Sequence, residues 1–462
     1  MFEKNKNINT IKTIYFIGIG GIGMSAIARY FYAKGKKVSG YDRAPSDLTR
    51  TLEQSGIPVH YQEDTDRIPK DADLVVYTPA IPEDHRELMF YRQHEYQLIK
   101  RSEMLGWITS QSFNICIAGT HGKTTTTTMT AHLLKDSGYG CNAFLGGISA
   151  NYNTNYWADD RNLFVVEADE YDRSFLKLDP DIAVITAMDA DHLDIYGTAE
   201  NVHQAYLEFA SRIKPGGLLI KKFGLDNKLG GGQSMTYSLQ NESADAHAVN
   251  ILIKDGAYLF DASVNGELIG GLQLRMGGMH NVENMIAAIS VAVHLGIDNE
   301  KIGAAVASFK GVKRRFEYIL NSDALTYIDD YAHHPEELKA LIQGEQTLFR
   351  QRRTTLIFQP HLYSRTRDFA DAFAEVLDMV DRVILLPVYP ARELPIEGVD
   401  SSLIADKMKR AARWLMNPDQ LLDWVRHEFV PNLNTEFGEV IITAGAGNID
   451  RLVPQLKSIL EN

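Results

Sequence analysis

The chain has 462 residues, too many for one hydrophobic core, and its length suggests about three domains. With 45% hydrophobic and 23% charged residues it has the make-up of a soluble globular protein. A formal charge of −13, from 47 basic and 60 acidic residues, argues against a general nucleic-acid binder and against adhesion to anionic membranes. Basic groups that meet phosphates must therefore be concentrated locally. The polar opening MFEKNKNINTIK lacks a secretory core, and no stretch is apolar for long enough to span a bilayer. Two cysteines, Cys116 and Cys141, are too few for a disulfide framework and read as reduced packing residues. A cytoplasmic protein is expected.

In chain order, residues 14–17 form a strand that runs into GIGGIGMS and then a helix through Tyr30. Gly18, Gly20 and Gly23 match G-x-G-x-x-G in its strand-to-helix setting, with residues 38–41 as the next strand and Asp42 at its end. Alone, this motif suits NAD, another diphosphate or merely a tight turn. Asp42 suits a ribose hydroxyl or an exposed strand end. A third strand, 73–77, leads to TPAIPEDH at the sheet edge where open α/β sheets bind ligands, and 100–107 reads as a short helix.

Residues 115–118 are a second strand start, broken at Gly119 and followed through Gly122-Lys123 by a run of threonines and a helix. Strand, glycine turn, Lys-Thr and helix together wrap backbone N–H groups around phosphates. Lys123 then reaches the terminal phosphates and the Thr124 hydroxyl suits Mg²⁺. The spacing departs from G-x-x-x-x-G-K-[ST], since Ile117 stands where the first glycine is usual. Gly146-Gly147 and the polar run 149–155 read as a substrate-facing loop. Strand 163–166 ends in Glu167-Ala168-Asp169-Glu170, where neighbours of phosphate loops hold Mg²⁺. Strand 181–186 ends in MDADHLD, which makes His192 either a metal ligand or a polar turn residue. Residues 248–274 suggest short antiparallel strands joined by Asp-Gly and Asn-Gly turns. A long helix follows, with Asn281 and Asn284 on one exposed face, suited to a base edge or to capping.

FKGVKRRF, 309–316, reads as a hinge, and Arg314-Arg315 as a charge clamp or a solvated pair. Beyond it, strands 325–328, 355–358, 383–386 and 440–443 alternate with helices, as in a doubly wound domain. His333, His334, His361, Arg365 and Arg367 fall in its strand-end loops.

With GTHGKT, EADE, the DH of MDADHLD, HNVEN, KRRF, DDYAHHP, FQPHLYSRTRDF and GAGNI in order, the chain resembles the Mur ligase family from end to end. The resemblance implies an α/β fold of three domains. Residues 1–107 would be a Rossmann-like domain for a UDP-linked substrate. Residues 108–314 would be a central P-loop-type ATPase with a small β extension, and 315–462 a doubly wound Rossmann-like amino-acid domain. It implies ATP-dependent amide bond formation in peptidoglycan precursor synthesis, with ATP and Mg²⁺ as cofactors. The opening glycine motif and the FQPH…SRT loop imply UDP-N-acetylmuramate and L-alanine as substrates, with no nucleic acid and no membrane, in a monomer or homodimer.

On this resemblance Gly18, Gly20, Gly21 and Gly23, with Asp42, face the UDP moiety. Gly119, Thr120, His121, Gly122, Lys123, Thr124 and Thr125 hold the ATP phosphates. Thr124, Glu167 and His192 hold magnesium. Asn281 and Asn284 lie on the adenine side, Arg315 contacts phosphate and Asp330 the ribose side. His361, Arg365 and Arg367 form the amino-acid pocket, and Lys123, His192 and Arg365 carry the chemistry. Relatives often have an arginine after the histidine of that pocket, where this chain has Leu362. No lysine occurs in 199–213, so no carbamylated lysine is expected. The general base is left open among His192, His333 and His334. Closure of the third domain is expected to exclude water. An NAD-dependent oxidoreductase built on Gly18–Gly23 would leave GTHGKT and its acidic partners without a purpose.

Overall fold

The computed structural model describes residues 8–189, 193–230, 232–391 and 393–461. Short apolar runs closed by glycine and proline turns build three sheets among them. The first has strands β1 (Thr13–Ile17), β2 (Lys37–Tyr41), β3 (Val59–His60), β4 (Leu74–Tyr77) and β5 (Leu98–Lys100). Their order is β3-β2-β1-β4-β5, all parallel, which is a Rossmann-like arrangement. Alternation along β1 covers both faces. Ile14 and Phe16 point into one core cluster with the helix Ile22–Ala33, while Tyr15 and Ile17 pack with Leu88 and Tyr91 on the other side.

The second sheet contains β6 (Phe113–Ala118), β7 (Asn142–Ser149), β8 (Thr154–Trp157), β9 (Leu163–Glu167), β10 (Ile182–Ile185), β11 (Leu218–Lys222), β12 (Gln233–Ser238), β13 (Ala246–Lys254), β14 (Ala257–Val264) and β15 (Glu267–Leu274). Its order is β15-β14-β13-β12-β11-β10-β6-β9-β7-β8. The β extension therefore continues the central sheet. Both of its turns have positive φ at each residue, 52° and 68° at Asp255-Gly256 and 51° and 82° at Asn265-Gly266, as two-residue hairpins require. The reading of 146–147 and 149–155 as a loop is corrected in part: 150–153 is a turn, but 146–149 and 154–155 belong to the antiparallel strands β7 and β8, and Asn155 is fully buried. Cys116 and Cys141 are buried and unpaired.

The third sheet comprises β16 (Glu317–Asn321), β17 (Leu325–Asp330), β18 (Arg353–Phe358), β19 (Arg382–Leu385), β20 (Ala412–Leu415) and β21 (Glu439–Ala444). The order is β16-β17-β21-β18-β19-β20, parallel except for β16. The chain packs into two compact units: residues 1–250, 260–272 and 283–309 form one, and 251–259, 273–282 and 310–462 the other. In the first, one apolar core runs without a break from Phe16 and Tyr30 to Phe144, Phe164 and Phe175. In the second, Tyr327, Ile357, Ile384, Phe429 and Ile441 form one apolar core. No described helix is long and apolar enough to cross a membrane.

Elsewhere, the second unit carries a buried carboxylate. Glu345, on the helix Pro335–Leu348, is inaccessible to solvent. Its Oε1 accepts from Thr354 Oγ1 at 2.9 Å, while Oε2 has no partner among the described residues. Burial, with Asp381 nearby, pushes its carboxyl from 4.5 up to about 8. The folded chain thus keeps this proton longer than the unfolded chain. Stability from this group is fullest below about pH 4.5 and is lost as pH rises through about 8. Glu345→Gln is expected to flatten urea-denaturation midpoints across that window and to raise stability at pH 8 by on the order of 2 kcal/mol; an unchanged pH slope would contradict this protonation.

Candidate active site

Strand β6 ends at Ala118, and its backbone pairs in parallel with β9 on one side and β10 on the other. The loop that follows must pass close to β10. Gly119 has φ 135°, and a Cβ there would collide with Thr186 Oγ1 and come within 2.8 Å of Ala187 N. Only glycine fits both the backbone and the space. Thr186 Oγ1 donates to Ala118 O at 3.2 Å and also to His121 O, so the loop is bonded to the neighbouring strand end. Thr120 Oγ1 accepts from Asp189 N at 3.1 Å, and His121 Nε2 lies 3.7 Å from Asp189 Oδ2. Gly122, at φ 77°, turns the chain into the helix Lys123–Asp136.

At the first turn of that helix the side chains are already engaged. Lys123 Nζ donates to Gly119 O and to Glu170 Oε1, each at 2.8 Å. Thr124 Oγ1 donates to Glu167 Oε1 at 3.1 Å, and Gly146 N donates to Glu167 Oε2 at 3.1 Å. Thr125 is buried within the helix. Asn284 Oδ1 packs near Gly122, 2.9 Å from where a Cβ would stand. Asn281 Nδ2 donates to Gly277 O at 2.6 Å. Both asparagines are buried, at 4% and 8% exposure, which corrects the expectation of an exposed helix face. His192 lies outside the described residues.

A hydroxyl and a carboxylate facing each other suit a hard cation, while the lysine and helix N-terminus beside them suit an anion. Among the described residues, no three His, Cys, Asp or Glu side chains converge on one point. Mg²⁺ bound chiefly through phosphates and water needs no such cage.

The other glycine loop is built on β1 and β2. Gly18 N and Ile19 N donate to Tyr41 O at 2.8 and 2.9 Å. Asp42 accepts from Gly20 N at 2.7 Å and Arg43 N at 2.8 Å, so both its oxygens hold backbone. Gly21 precedes the helix Ile22–Ala33. Gly23 packs against Arg101, whose Nη2 is 3.6 Å from Asp169 Oδ2 in the acidic turn. Asn155 Nδ2 donates to Ile22 O at 2.6 Å and Ser25 Oγ at 2.9 Å. Neither Arg101 nor Asn155 stood out in the sequence; an Asn in a Tyr-rich run gives no sign of burial.

In the second unit, His361 and Tyr389 stack at 5.7 Å, and His333 meets His361 edge-on at 5.9 Å. Burial, with His333 and Arg365 adding to it, lowers the His361 pKa from 6.5 and favours a neutral imidazole. His361 Nδ1 and Arg365 Nη1 are buried with no hydrogen-bond partner among the described residues. Such groups cost free energy unless a ligand satisfies them. Leu362 takes φ 69° to start the helix Tyr363–Asp368. Arg367 instead pairs with Asp368 at 2.8 Å at the surface. His333 Nδ1 bonds Tyr331 O at 2.9 Å, and His334 caps the helix Pro335–Leu348. Asp330 accepts from Phe316 N at 2.6 Å and Ala332 N at 2.7 Å, and burial pushes it up to about 6. The basic pair divides. Arg314 turns inward, 3.4 Å from Asp329 and 3.6 Å from Asp450, and Arg315 is exposed.

Residues 13–113 match the description "Mur ligase family, catalytic domain", 117–292 "Mur ligase middle domain" and 314–447 "Mur ligase, glutamate ligase domain". The chain is 48% identical to UDP-N-acetylmuramate–L-alanine ligase of Porphyromonas gingivalis, over 98% of this chain and 99% of that protein. It is 46% identical to the enzyme of that name from Flavobacterium johnsoniae, with the same coverage. A crystal structure of UDP-N-acetylmuramate-alanine ligase from Thermotoga maritima superposes with a TM-score of 0.81 at 27% identity, covering 98% of this chain and 99% of that one.

The fit of Gly119 against Thr186 makes a direct test. Gly119→Ala is expected to destabilise the protein by about 1–3 kcal/mol, read as a lower melting temperature. A variant with the wild-type melting temperature would contradict the close approach.

Proposed function

The chain belongs to the Mur ligase family, and we propose that it joins L-alanine to the lactyl carboxylate of UDP-N-acetylmuramate at the expense of ATP. The observation that carries this is the meeting of Lys123, Thr124 and Glu167 at one strand edge beside the glycine loop. Residues 1–107 are assigned the UDP-linked substrate, 108–314 the nucleotide and 315–462 the amino acid. Thr124 and Glu167 would hold Mg²⁺, with His192 as a further ligand. The ion, when bound, supplies positive charge between two anionic reactants.

A carboxylate acylates poorly, so its oxygen first attacks the γ-phosphorus of ATP. ADP leaves and an acyl phosphate forms. The amide nitrogens of 119–124 and the Lys123 ammonium neutralise charge on the transferred phosphoryl group, where positioning and electrostatics do most of the work. Asn281, Asn284, Arg315 and Asp330 are assigned to the rest of the nucleotide. The diphosphate of the sugar nucleotide is assigned to Gly18, Gly20, Gly21 and Gly23, at the N-terminus of a helix, with Asp42 holding the turn.

L-Alanine arrives with its carboxylate on Arg365, whose buried Nη1 lacks a partner among the described residues. His361, kept neutral, can accept or donate a hydrogen bond without repelling the substrate ammonium. Arg367, held by Asp368, is left a lesser part in that pocket. The neutral amine attacks the acyl carbon, the tetrahedral intermediate collapses, and phosphate departs with one oxygen of the original carboxylate.

Phosphate release from ATP, assayed with UDP-N-acetylmuramate across a panel of amino acids and a tripeptide, is expected to depend on both the sugar nucleotide and L-alanine. Release that prefers the tripeptide, or none at all, would overturn the assignment. Lys123→Ala is expected to lower kcat by about 10²–10³-fold while binding of UDP-N-acetylmuramate survives. Arg365→Ala is expected to raise KM for L-alanine by about 10–100-fold with KM for ATP unchanged.

A further inference from the structure

We propose that Glu170 is a positioning residue for Lys123, holding its ammonium ready for the triphosphate; this rests on the ligase function above. A lysine ammonium has three N–H donors. Gly119 O takes one and Glu170 Oε1 takes another, each at 2.8 Å, so the direction of the third is fixed by the first two. Left alone, the four-carbon stem would sample many rotamers, and the phosphate would have to order it on arrival. Glu170 and Gly119 impose that order beforehand.

The chain spends backbone strain to aim this carboxylate. After β9, Ala168 N still donates to Ile117 O at 2.8 Å, which continues the strand pairing. The chain then turns through Asp172 and Arg173, two consecutive non-glycine residues with φ of 51° and 54°. Such a pair persists only where the surroundings hold it. Tyr196 OH donates to Glu170 O at 2.7 Å, Arg173 N to Glu170 O at 2.9 Å, and Phe175 N to Asp169 O at 2.9 Å. The Arg173 guanidinium lies 5.3 Å from the Tyr196 ring centre. The result is a carboxylate only 1% exposed, turned onto the phosphate-loop lysine.

The acidic turn thereby divides its labour. Glu167 faces the Thr124 hydroxyl and Gly146 N, on the side assigned to the cation. Glu170 faces the ammonium. Its charge also offsets part of that of Lys123 in the free enzyme, so it favours turnover more than ground-state binding of nucleotide. Truncation of Glu170 is therefore expected to affect the chemical step without weakening affinity for ATP.

The test is steady-state kinetics of Glu170→Gln and Glu170→Asp, with thermal melts of each. Glu170→Gln keeps the shape and an acceptor oxygen and removes the charge. It is expected to lower kcat by about 10–100-fold with KM for Mg·ATP unchanged or lower. Glu170→Asp, which keeps the charge on a shorter arm, is expected to fall between it and the wild type. An unchanged kcat, a rise in KM for Mg·ATP without loss of kcat, or an aspartate variant no better than glutamine would overturn the proposal. If the glutamine variant does not fold, the aspartate variant carries the test: lower kcat at unchanged KM supports the role, and wild-type kcat overturns it. Wild-type protein is assayed first, since absence of amino-acid-dependent phosphate release there contradicts the ligase function rather than the role of Glu170.

Discussion

Parallel pairing of β6 with β9 and β10 is the constraint from which the site follows. Ile117 stands opposite Glu167, and Ala118 opposite Ile185, so three chain segments leave the sheet at one edge and at one level. The loop after β6 supplies backbone N–H groups, the turn after β9 supplies carboxylates, and the turn after β10 supplies Thr186 and Asp189. No long-range coincidence is needed to gather them. Parallel pairing places the C-terminal ends of β6, β9 and β10 on the same side. Gly119 then lets the loop after β6 lie against Thr186, which fixes where Lys123 starts.

The electrostatics are local as well. A chain with formal charge −13 would repel a triphosphate on average, yet its acids near the loop are each matched. Glu170 holds Lys123, Glu167 holds Thr124 and Gly146 N, and Asp169 lies near Arg101. In the second unit an unmatched group beside His361 is basic. Arg365 keeps a buried nitrogen without a partner, beside a histidine whose charge is suppressed by burial. In the same unit burial raises Asp329 to about 7 despite Arg314 3.4 Å away, so the inward arginine is paired with a buried acid while Arg315 is exposed.

Much of this was legible because it rests on local rules. Both glycine loops sit between a strand and a helix as their spacing requires, and Asp-Gly and Asn-Gly mark hairpins because φ must be positive there. The short strands β3 and β5, of two and three residues, escaped notice since so few residues carry no periodicity. The strand residues 146–149 and 154–155 were misread as loop because glycine and asparagine are poor strand formers by themselves. Here a Cβ at Gly146 would stand 2.2 Å from Glu167 Oε2, which accepts from the Gly146 N–H, and Asn155 is needed for its bonds to the helix that follows the first glycine loop. Which arginine of 314–315 turns inward, and which acid of 167–170 takes the lysine, depends on distant residues that a linear pattern cannot weigh.

Transfer through an acyl phosphate at the edge formed by β6, β9 and β10 has one signature that no other route shares. With UDP-N-acetylmuramate carrying ¹⁸O in both oxygens of the lactyl carboxylate, the phosphate released during L-alanine ligation should contain one ¹⁸O atom, read by mass spectrometry. Phosphate free of the label would contradict carboxylate phosphorylation at this site.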